Sequence, residues 1–582
     1  MRLGRRVNWI FCLLALCTGA PEIALAADIN NFTPLSEINT GNVNRMKLLF
    51  SFRSGQTGGQ SGAPAVAGDL LLLQTAFPHT LYALDIHQQA APARWSFTPP
   101  SDRRAAGLTC CDATVGGPVV ADGQVVLNTL DGHTIALDAA TGQVRWDVVT
   151  ASLDSGETLS TSPSIAGDRV IIGGAGDDFG ARGWIAGLDP HTGATVWKRF
   201  NTGPEEDVGI GAGFNSPYPR DQSHDGGVTT WPPQAWQQGG GGLAGNLAYD
   251  SDRGILLYGT GHPAPWNPDP RPGDNKWTSG LFARDARTGD ARWFVSISPH
   301  DLYALGAAGS VLLADTQWQG RDRNLLIHPD ANGQVYVLDR GTGAILSAAP
   351  FVPINATQGV DTPTGTLRRN VSMDVSPNAV TRDICPGWPG ATGADGTSLG
   401  AAALSPQTRL LYIPANRLCM DMEPRDTSFM SGTPFIGANL RMKAAPGFSR
   451  GALIAWEVSG ARPVWTVAED FPVHGGVLAT AGGVVFYGTL DGAFKAVDAR
   501  DGHLLWQFHA SSGIIGQPIT FRLADGHQYI AITAGTGGPA GRVAEDGIDP
   551  RDATAAHGYA NALRDLKPPA DPSGVLYVFA LP

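Results

Sequence analysis

The sequence predicts an all-β protein, an eight-bladed β-propeller whose blades dock against one another through repeated tryptophans. Three observations predict it: the composition, a repeated motif of strand, turn and strand, and two strand-like segments at opposite ends of the chain. Glycine accounts for 75 of the 582 residues, and only 16% of the residues are charged. This composition is typical of many short strands joined by tight turns, with little exposed helix.

An eleven-residue motif recurs along the chain. In most copies a strand ends at aspartate, a turn closes on Thr-Gly or Asp-Gly, and the next strand delivers a tryptophan. An alternating strand such as 484–489 lies upstream of most copies. Each unit therefore predicts a four-stranded antiparallel sheet, and a ring of such sheets is a β-propeller. The clear copies cover 136–146, 187–197, 283–293 and 496–506, and weaker copies end at Trp95, Ser347 and Trp465.

The two ends of the chain supply the remaining blade. Seven copies of the motif predict seven blades, and the eighth combines the last strand, 575–580, with an N-terminal strand around 48–52. Such pairing removes the free sheet edges that an open ring would expose. The repeated tryptophans are therefore assigned to packing between blades. Two stretches rich in glycine and proline, 201–242 and 262–280, are predicted to be surface excursions near the mouth of the ring.

The N-terminus has the pattern of a secretory signal peptide over residues 1–27. Arg2, Arg5 and Arg6 give it a positive start, an apolar run follows, and small residues at 24–26 suit a cleavage site. We therefore predict a periplasmic protein with a single domain over 28–582; the alternative is a retained anchor. No segment of the mature chain is long and apolar enough to span a membrane. The net charge of −12 argues against nucleic acid and against an anionic membrane surface as partners.

The chain has six cysteines, and their number indicates the redox compartment of the protein. Two leave with the predicted signal peptide, and the even number that remains suits disulfides in an oxidising compartment. The four that remain are Cys110, Cys111, Cys385 and Cys419. A bond between neighbouring cysteines strains the backbone, and such strain concentrates at functional sites; the alternative is two unrelated thiols in a loop. The chain has no Cys-x-x-Cys-His motif, so no c-type haem is attached.

Longer motifs carry a family resemblance over nearly the whole mature chain. They are the runs at 110–112, 259–267, 271–277, 299–301, 336–340, 419–421 and 513–519. With these motifs the chain resembles the periplasmic quinoprotein alcohol dehydrogenases of the methanol/ethanol dehydrogenase family. The resemblance implies an eight-bladed propeller that holds pyrroloquinoline quinone (PQQ) beside Ca²⁺ or a lanthanide. It also implies oxidation of a small alcohol, with electrons passed to a separate cytochrome c.

The resemblance assigns several residues to the cofactor and the metal. It places a Cys110–Cys111 disulfide over the quinone, with Cys385–Cys419 as the second pair. It places Asp178 on the metal-binding glutamate and His262 on the metal-binding asparagine. The remaining positions that it assigns to cofactor contact are Ser160, Ala175, Gly176, Asp177 and His474, the last in place of a tryptophan.

Other functional positions of the family carry different residues here. The catalytic base falls at Ala304, so no catalytic residue is assigned; the nearest carboxylate, Asp301, is a weak candidate whose alternative role is structural, in a turn. The other substituted positions are Ser61 (glutamate), Gly116 (arginine), Gly242 and Ala244 (the Thr-x-Trp floor), Gly306 (aspartate in the lanthanide-using branch) and Ala331 (arginine). PQQ carries three carboxylates and needs cationic or hydrogen-bonding partners once it leaves water. The substitutions therefore argue against tight PQQ binding and against turnover of the family type.

Three hypotheses remain open from the sequence. The first is a divergent but working PQQ-dependent alcohol dehydrogenase. The second is a non-catalytic propeller that serves as a binding or assembly scaffold, because fold does not fix function. The third is a repurposed site in the same funnel, with Zn²⁺, Cu²⁺ or Fe²⁺ held by Asp178 and His262, since imidazole with carboxylate suits these metals. Its alternative is that both substituted histidines, His262 and His474, only fill space.

Overall fold

The computed structural model describes residues 30–89, 92–109, 116–392, 401–537, 540–541, 556–567, 569 and 571–582. The predicted signal peptide and the Cys110–Cys111 pair lie outside the described residues, so both stay predictions. Of the helices described, none has the length and apolar character of a membrane span.

Thirty-eight strands carry the described fold. The first eighteen are β1 (Phe32–Thr33), β2 (Lys47–Thr57), β3 (Ala65–Ala67), β4 (Leu70–Gln74), β5 (Leu81–Leu84), β6 (Ala93–Phe97), β7 (Val119–Ala121), β8 (Gln124–Asn128), β9 (His133–Asp138), β10 (Val144–Val149), β11 (Ser164–Ala166), β12 (Arg169–Gly174), β13 (Trp184–Leu188), β14 (Thr195–Phe200), β15 (Leu243–Asp250), β16 (Ile255–Thr260), β17 (Gly280–Asp285) and β18 (Ala291–Ser296). The others are β19 (Leu312–Trp318), β20 (Arg321–Pro329), β21 (Gln334–Asp339), β22 (Ile345–Pro350), β23 (Thr357–Asp361), β24 (Thr366–Arg369), β25 (Thr381–Ile384), β26 (Ala403–Leu404), β27 (Leu410–Asn416), β28 (Leu418–Pro424), β29 (Ala438–Ala444), β30 (Gly451–Glu457), β31 (Arg462–Glu469), β32 (Val477–Thr480), β33 (Val484–Gly488), β34 (Ala493–Asp498), β35 (Leu504–His509), β36 (Ile519–Arg522), β37 (Gln528–Ala534) and β38 (Ser573–Ala580).

Helices are few and short among the residues that the structure describes. The α-helices are α1 (Glu205–Val208), α2 (Gly226–Thr229) and α3 (Tyr559–Leu563). The 3₁₀ turns cover Val43–Arg45, Arg103–Leu108, Leu153–Ser155, Asp177–Phe179, Pro219–Gln222, Ala235–Gln238 and Val371–Met373. The prediction of an all-β chain with little helix is confirmed.

The strands form eight antiparallel blades. Five are consecutive meanders, from β3–β6 to β19–β22, and the sixth interleaves as β26-β27-β30-β31 because a hairpin and a three-stranded sheet are inserted around it. The first strands of neighbouring blades contact one another, as β3 does with β7 and β7 with β11, so these strands lie nearest the propeller axis. The predicted architecture is confirmed.

The ring closes where the sequence predicted. Strand β2 pairs antiparallel with β38, with Phe50 opposite Val578 and Phe52 opposite Leu576, and β36 and β37 complete this blade. The short β1 adds in parallel to β32 as a fifth strand of the preceding blade, which the repeat did not predict. Closure leaves no open blade edge between the two ends of the ring.

The repeated tryptophans dock blade against blade, as predicted. The Trp95 indole donates to the Ala139 carbonyl of the next blade, 3.2 Å away. Gly142 of that blade's turn lies over the ring, where a Cβ would come within 2.6 Å of it, and its φ of +72° also favours glycine. The same indole-to-carbonyl contact recurs at Trp146, Trp197, Trp465 and Trp506.

One excursion differs from its prediction. The stretch 262–280 is largely buried, with Arg271 and Trp277 almost inaccessible to solvent. The Arg271 guanidinium donates to the carbonyls of Pro265, Trp266 and Asp301. A buried charge is tolerated only when its donors are satisfied, and here main-chain oxygens satisfy them. The description of this stretch as a surface excursion is therefore wrong.

The second predicted disulfide is confirmed. Cys385 and Cys419 are bonded across a sequence separation of 34 residues, with their Cα atoms 4.4 Å apart. Both residues are buried beside the three-stranded sheet β25-β28-β29.

Candidate functional site

Three of the family's functional positions lie in an apolar core. Ala244 on β15, Ala304 after β18 and Ala331 after β20 are 3%, 2% and 0% exposed, and all three belong to one hydrophobic cluster. Further members of this cluster are Leu302, Trp266, Trp388, Met420, Met442 and Tyr559. The three positions that would stack on a quinone, take a proton and pair with quinone oxygens therefore contribute only methyl groups.

The position of the first family arginine has no room for any side chain. A Cβ on Gly116 would lie 2.2 Å from the Ser162 nitrogen. The Gly116 amide donates to the Ser160 carbonyl at 2.7 Å. Ser160, a predicted cofactor contact, therefore lies against the backbone at Gly116. Ser61, at the early glutamate position, is buried. Neither position can present charge to a ligand in this structure.

A tight turn places two aspartates side by side after β12. Ala175 pairs with Thr158 through two main-chain hydrogen bonds, and the chain then turns at Gly176, whose φ is +124°. A Cβ on Gly176 would lie 2.2 Å from the Gly156 carbonyl oxygen, so this turn requires glycine. Asp177 and Asp178 follow on a single 3₁₀ turn.

Asp178 and His262, the two predicted metal ligands, contact each other. His262 Nε2 lies 3.3 Å from Asp178 Oδ1, and both side chains are only 14% exposed. The Trp266 indole also donates to Asp178 Oδ1, at 2.7 Å. Burial alone would raise the pKa of Asp178, but the hydrogen bond and charge of His262, with smaller contributions from His557 and Trp266, lower it below its ordinary value.

Both ring nitrogens of His262 face acceptors. Nε2 faces the Asp178 carboxylate, and Nδ1 lies 3.2 Å from the Pro263 carbonyl oxygen. A ring that donates from both nitrogens carries a positive charge. Burial lowers the pKa of His262, but the hydrogen bond and charge of Asp178, with the charges of Asp177 and Asp301, raise it to about 9. The two acceptor oxygens and the raised pKa of His262 both favour a protonated ring beside the Asp178 carboxylate.

Asp177 is the second carboxylate of this corner. Its Oδ1 accepts a hydrogen bond from the Gly242 amide at 2.7 Å, and its Oδ2 lies against Gly261, where a Cβ would come within 1.9 Å of it. Burial raises the pKa of Asp177 to about 6, against the charge of His262 and the Gly242 hydrogen bond. Within the described ranges, no group of three His, Cys, Asp or Glu side chains is arranged to hold a metal ion.

The other substituted histidine lies in a different environment. His474 is almost inaccessible to solvent, and its Nε2 shares a 2.6 Å hydrogen bond with the hydroxyl of Tyr559 on α3. Burial lowers the pKa of His474 to about 4, so the ring is neutral at pH 7. Its neighbourhood is the apolar cluster to which Tyr559 belongs.

The weak base candidate, Asp301, is engaged by the turn around it. Its carboxylate accepts from the amides of Tyr303, Leu305 and Gly306 at 2.8–2.9 Å and from the Ser279 hydroxyl at 3.1 Å. Three of these donors converge on Oδ2 and one on Oδ1, so the carboxylate is held in place by the turn. The geometry supports the structural role that the sequence left as its alternative.

Sequence reasoning missed three residues of this region. Trp266 donates to Asp178, Tyr559 bonds His474, and His557 packs its ring against Trp266 at 5.7 Å. Trp266 lies inside the family motif 259–267, four residues after His262, so a position near the histidine was available from the sequence. Tyr559 and His557 carry no local signal, because their partners lie far away in the chain.

Comparisons with known proteins show the family to which this chain is related. Residues 21–364 and 456–530 match the family profile "PQQ: Glucose/ethanol/alcohol dehydrogenase, beta-propeller domain". The chain is 37% identical to the lanthanide-dependent methanol dehydrogenase of Methylacidiphilum fumariolicum (strain SolV), over 94% of this chain and 90% of that protein. It is also 37% identical to methanol dehydrogenase [cytochrome c] subunit 1 of Methylorubrum extorquens, over 95% and 89%.

A solved structure supports the same relationship. A europium-containing methanol dehydrogenase superimposes with a TM-score of 0.91 at 37% identity, covering 95% of this chain and 96% of that one. The quinohemoprotein alcohol dehydrogenase of Comamonas testosteroni is 30% identical over 90% of this chain and 73% of its own length.

Proposed function

Since the chain belongs to the family of PQQ-dependent alcohol dehydrogenases but has an apolar core at their functional positions, we propose that it is an exported, non-catalytic propeller. In this proposal it acts as a binding or assembly scaffold in the periplasm. The observation that carries the proposal is the single buried cluster containing Ala244, Ala304 and Ala331. A small alcohol and a separate cytochrome c then belong to the relatives' chemistry and not to this chain's.

The residues present do not fit PQQ. A cofactor with three carboxylates needs charged or hydrogen-bonding partners in a dry site. At the two family arginine positions, Gly116 has no room for a side chain and Ala331 offers a methyl group. The stacking face is also missing at Ala244, and an aromatic face contributes on the order of 1 kcal/mol beyond the area it buries.

The reaction also lacks its base. Ala304 cannot take a proton, and the oxygens of Asp301 are held by four donors. Loss of a general base alone costs roughly 10²–10⁴-fold in rate. No step of alcohol oxidation is therefore assigned to this chain.

The test is a reconstitution. Mature protein is incubated with PQQ and Ca²⁺, and separately with PQQ and a lanthanide, then desalted and scanned for retained quinone absorbance. A methanol dehydrogenase is loaded in parallel as the positive control. We expect no stoichiometric quinone in this protein, and no alcohol-dependent reduction of an artificial acceptor.

Retained stoichiometric quinone with alcohol-dependent turnover would contradict the proposal and favour a divergent working dehydrogenase. Retained quinone without turnover would contradict the claim that the site does not fit PQQ, while leaving the missing base as the reason for inactivity.

A further inference from the structure

We infer that the His262 side chain occupies the family's metal position, so that this corner binds neither Ca²⁺, nor a lanthanide, nor a transition metal. Here a side chain of the protein satisfies Asp178 directly, at 3.3 Å. The inference concerns the metal alone and does not depend on whether PQQ binds.

The first argument is the donor chemistry of His262. Its Nε2 faces Asp178 Oδ1 and its Nδ1 faces the Pro263 carbonyl. Each ring nitrogen already lies within contact distance of an oxygen, so coordination of zinc or copper by either nitrogen would require that contact to break. Ca²⁺ and other hard cations prefer oxygen ligands, which imidazole does not offer.

The second argument is the shortage of free carboxylate. Asp178 Oδ1 already accepts from both Trp266 and His262, and Asp177 Oδ1 accepts from the Gly242 amide. Calcium sites use six to eight oxygen ligands, and their affinity rises with ligand charge. With one oxygen of each carboxylate already engaged, the two aspartates fall short of such a set.

The third argument is the geometry at Gly306. A Cβ there would lie 3.0 Å from the His262 nitrogen, so this position directly faces the histidine's backbone. The resemblance places an aspartate at this position in the lanthanide-using branch. Relative to that branch, glycine at 306 and histidine at 262 each supply no oxygen ligand to this corner.

The experiment titrates Tb³⁺ into PQQ-free protein and excites the tryptophans. Trp266 contacts Asp178, so a terbium ion bound at this corner would be sensitised by its indole. We expect no saturable emission from the wild type. We expect saturable, stoichiometric emission from the double variant His262→Asn with Gly306→Asp, because the restored oxygen ligands suit a hard cation.

The matched control is His474→Asn, which changes the other buried histidine and should leave terbium emission at the wild-type level. Adding Asp178→Asn to the double variant should abolish its emission. Saturable terbium emission from the wild type would overturn the inference. So would a folded double variant, checked by circular dichroism, that gains none.

A direct metal measurement covers the case in which the double variant does not fold. Wild-type protein is loaded with Ca²⁺, Tb³⁺ or Zn²⁺, desalted and analysed for metal content. Less than stoichiometric metal in all three arms supports the inference. Stoichiometric Zn²⁺ that is lost in His262→Ala would overturn it and establish the repurposed transition-metal site.

Discussion

Two buried histidines stand at substituted family positions, and their surroundings give them opposite character. His262 faces the carboxylates of Asp178 and Asp177, and its pKa is raised to about 9. His474 faces a tyrosine hydroxyl among apolar side chains, and its pKa is lowered to about 4. The same residue type therefore supplies a charge at one place and a neutral, space-filling ring at the other. The hydrogen-bond partner of each histidine, and not the substitution itself, decides whether the ring is charged.

The largest effect is expected from removing the partner of the charged histidine. Asp178→Asn leaves His262 buried without its carboxylate, which typically costs about 3–5 kcal/mol. Urea unfolding at pH 7 should therefore show a large loss of stability. Asp189→Asn, in an exposed blade turn, serves as a control for loss of a carboxylate. Equal losses in the two variants would contradict an ion pair at His262.

Alkaline pH should weaken the His262 corner. Because the folded-state pKa is raised from 6.5 to about 9, its stabilisation is complete below pH 6.5 and is lost as the pH rises through 9. The loss should be on the order of 3 kcal/mol, the equivalent of that pKa change. Unfolding free energies from pH 6 to 10 are compared between wild type and His262→Asn. A variant with the same slope as the wild type would show that this histidine is not charged in the folded protein.

Acidic pH should destabilise the protein through His474, whereas alkaline pH does so through His262. The folded-state pKa of His474 is lowered from 6.5 to about 4, so stability is lost as the pH falls from 6.5 toward 4. The loss should approach about 3 kcal/mol, reduced where water enters the pocket. His79 and Asp177 titrate in the same range, so the measurement is the difference between wild type and His474→Gln. We expect the variant to lose part of the acid slope and to keep the alkaline slope.

The smallest effect is expected at the hydroxyl that faces His474. Tyr559→Phe removes one buried hydrogen bond and should cost about 1–2 kcal/mol at pH 7. The alkaline slope assigned to His262 should be unchanged, which separates the two corners within one variant. A change in that alkaline slope would mean that the corners are coupled through the apolar cluster.

The fold could be predicted because its information is local and repeated. Aspartate, glycine and tryptophan within eleven residues mark the typical blade turn. The closing pair of strands followed from the count of repeats and from the cost of an open edge. The Cys385–Cys419 pairing rested on the even number of cysteines and on the resemblance, which pairs Cys110 with Cys111.

The sequence could locate the site but could not predict the hydrogen bonds within it. The sequence placed Asp178 and His262 at one corner, yet it could not show that they would bond each other, because that depends on where each ring nitrogen points. Tyr559 lies 85 residues from His474, and no local pattern joins them. The burial of 262–280 was also missed, since proline and glycine indicate a turn and do not say which way the loop folds.

The pairing of β2 with β38 has a consequence for how the molecule is made. The last strand ends two residues before the end of the chain, and its hydrogen-bond partner lies among the first residues described. Before β38 is synthesised, the blades can therefore form only an open arc. Loss of the eight-residue strand β38 would leave β2 without the partner that joins it to β37. Loss of the C-terminal strand should therefore be more damaging in this molecule than loss of a C-terminal tail is in most domains.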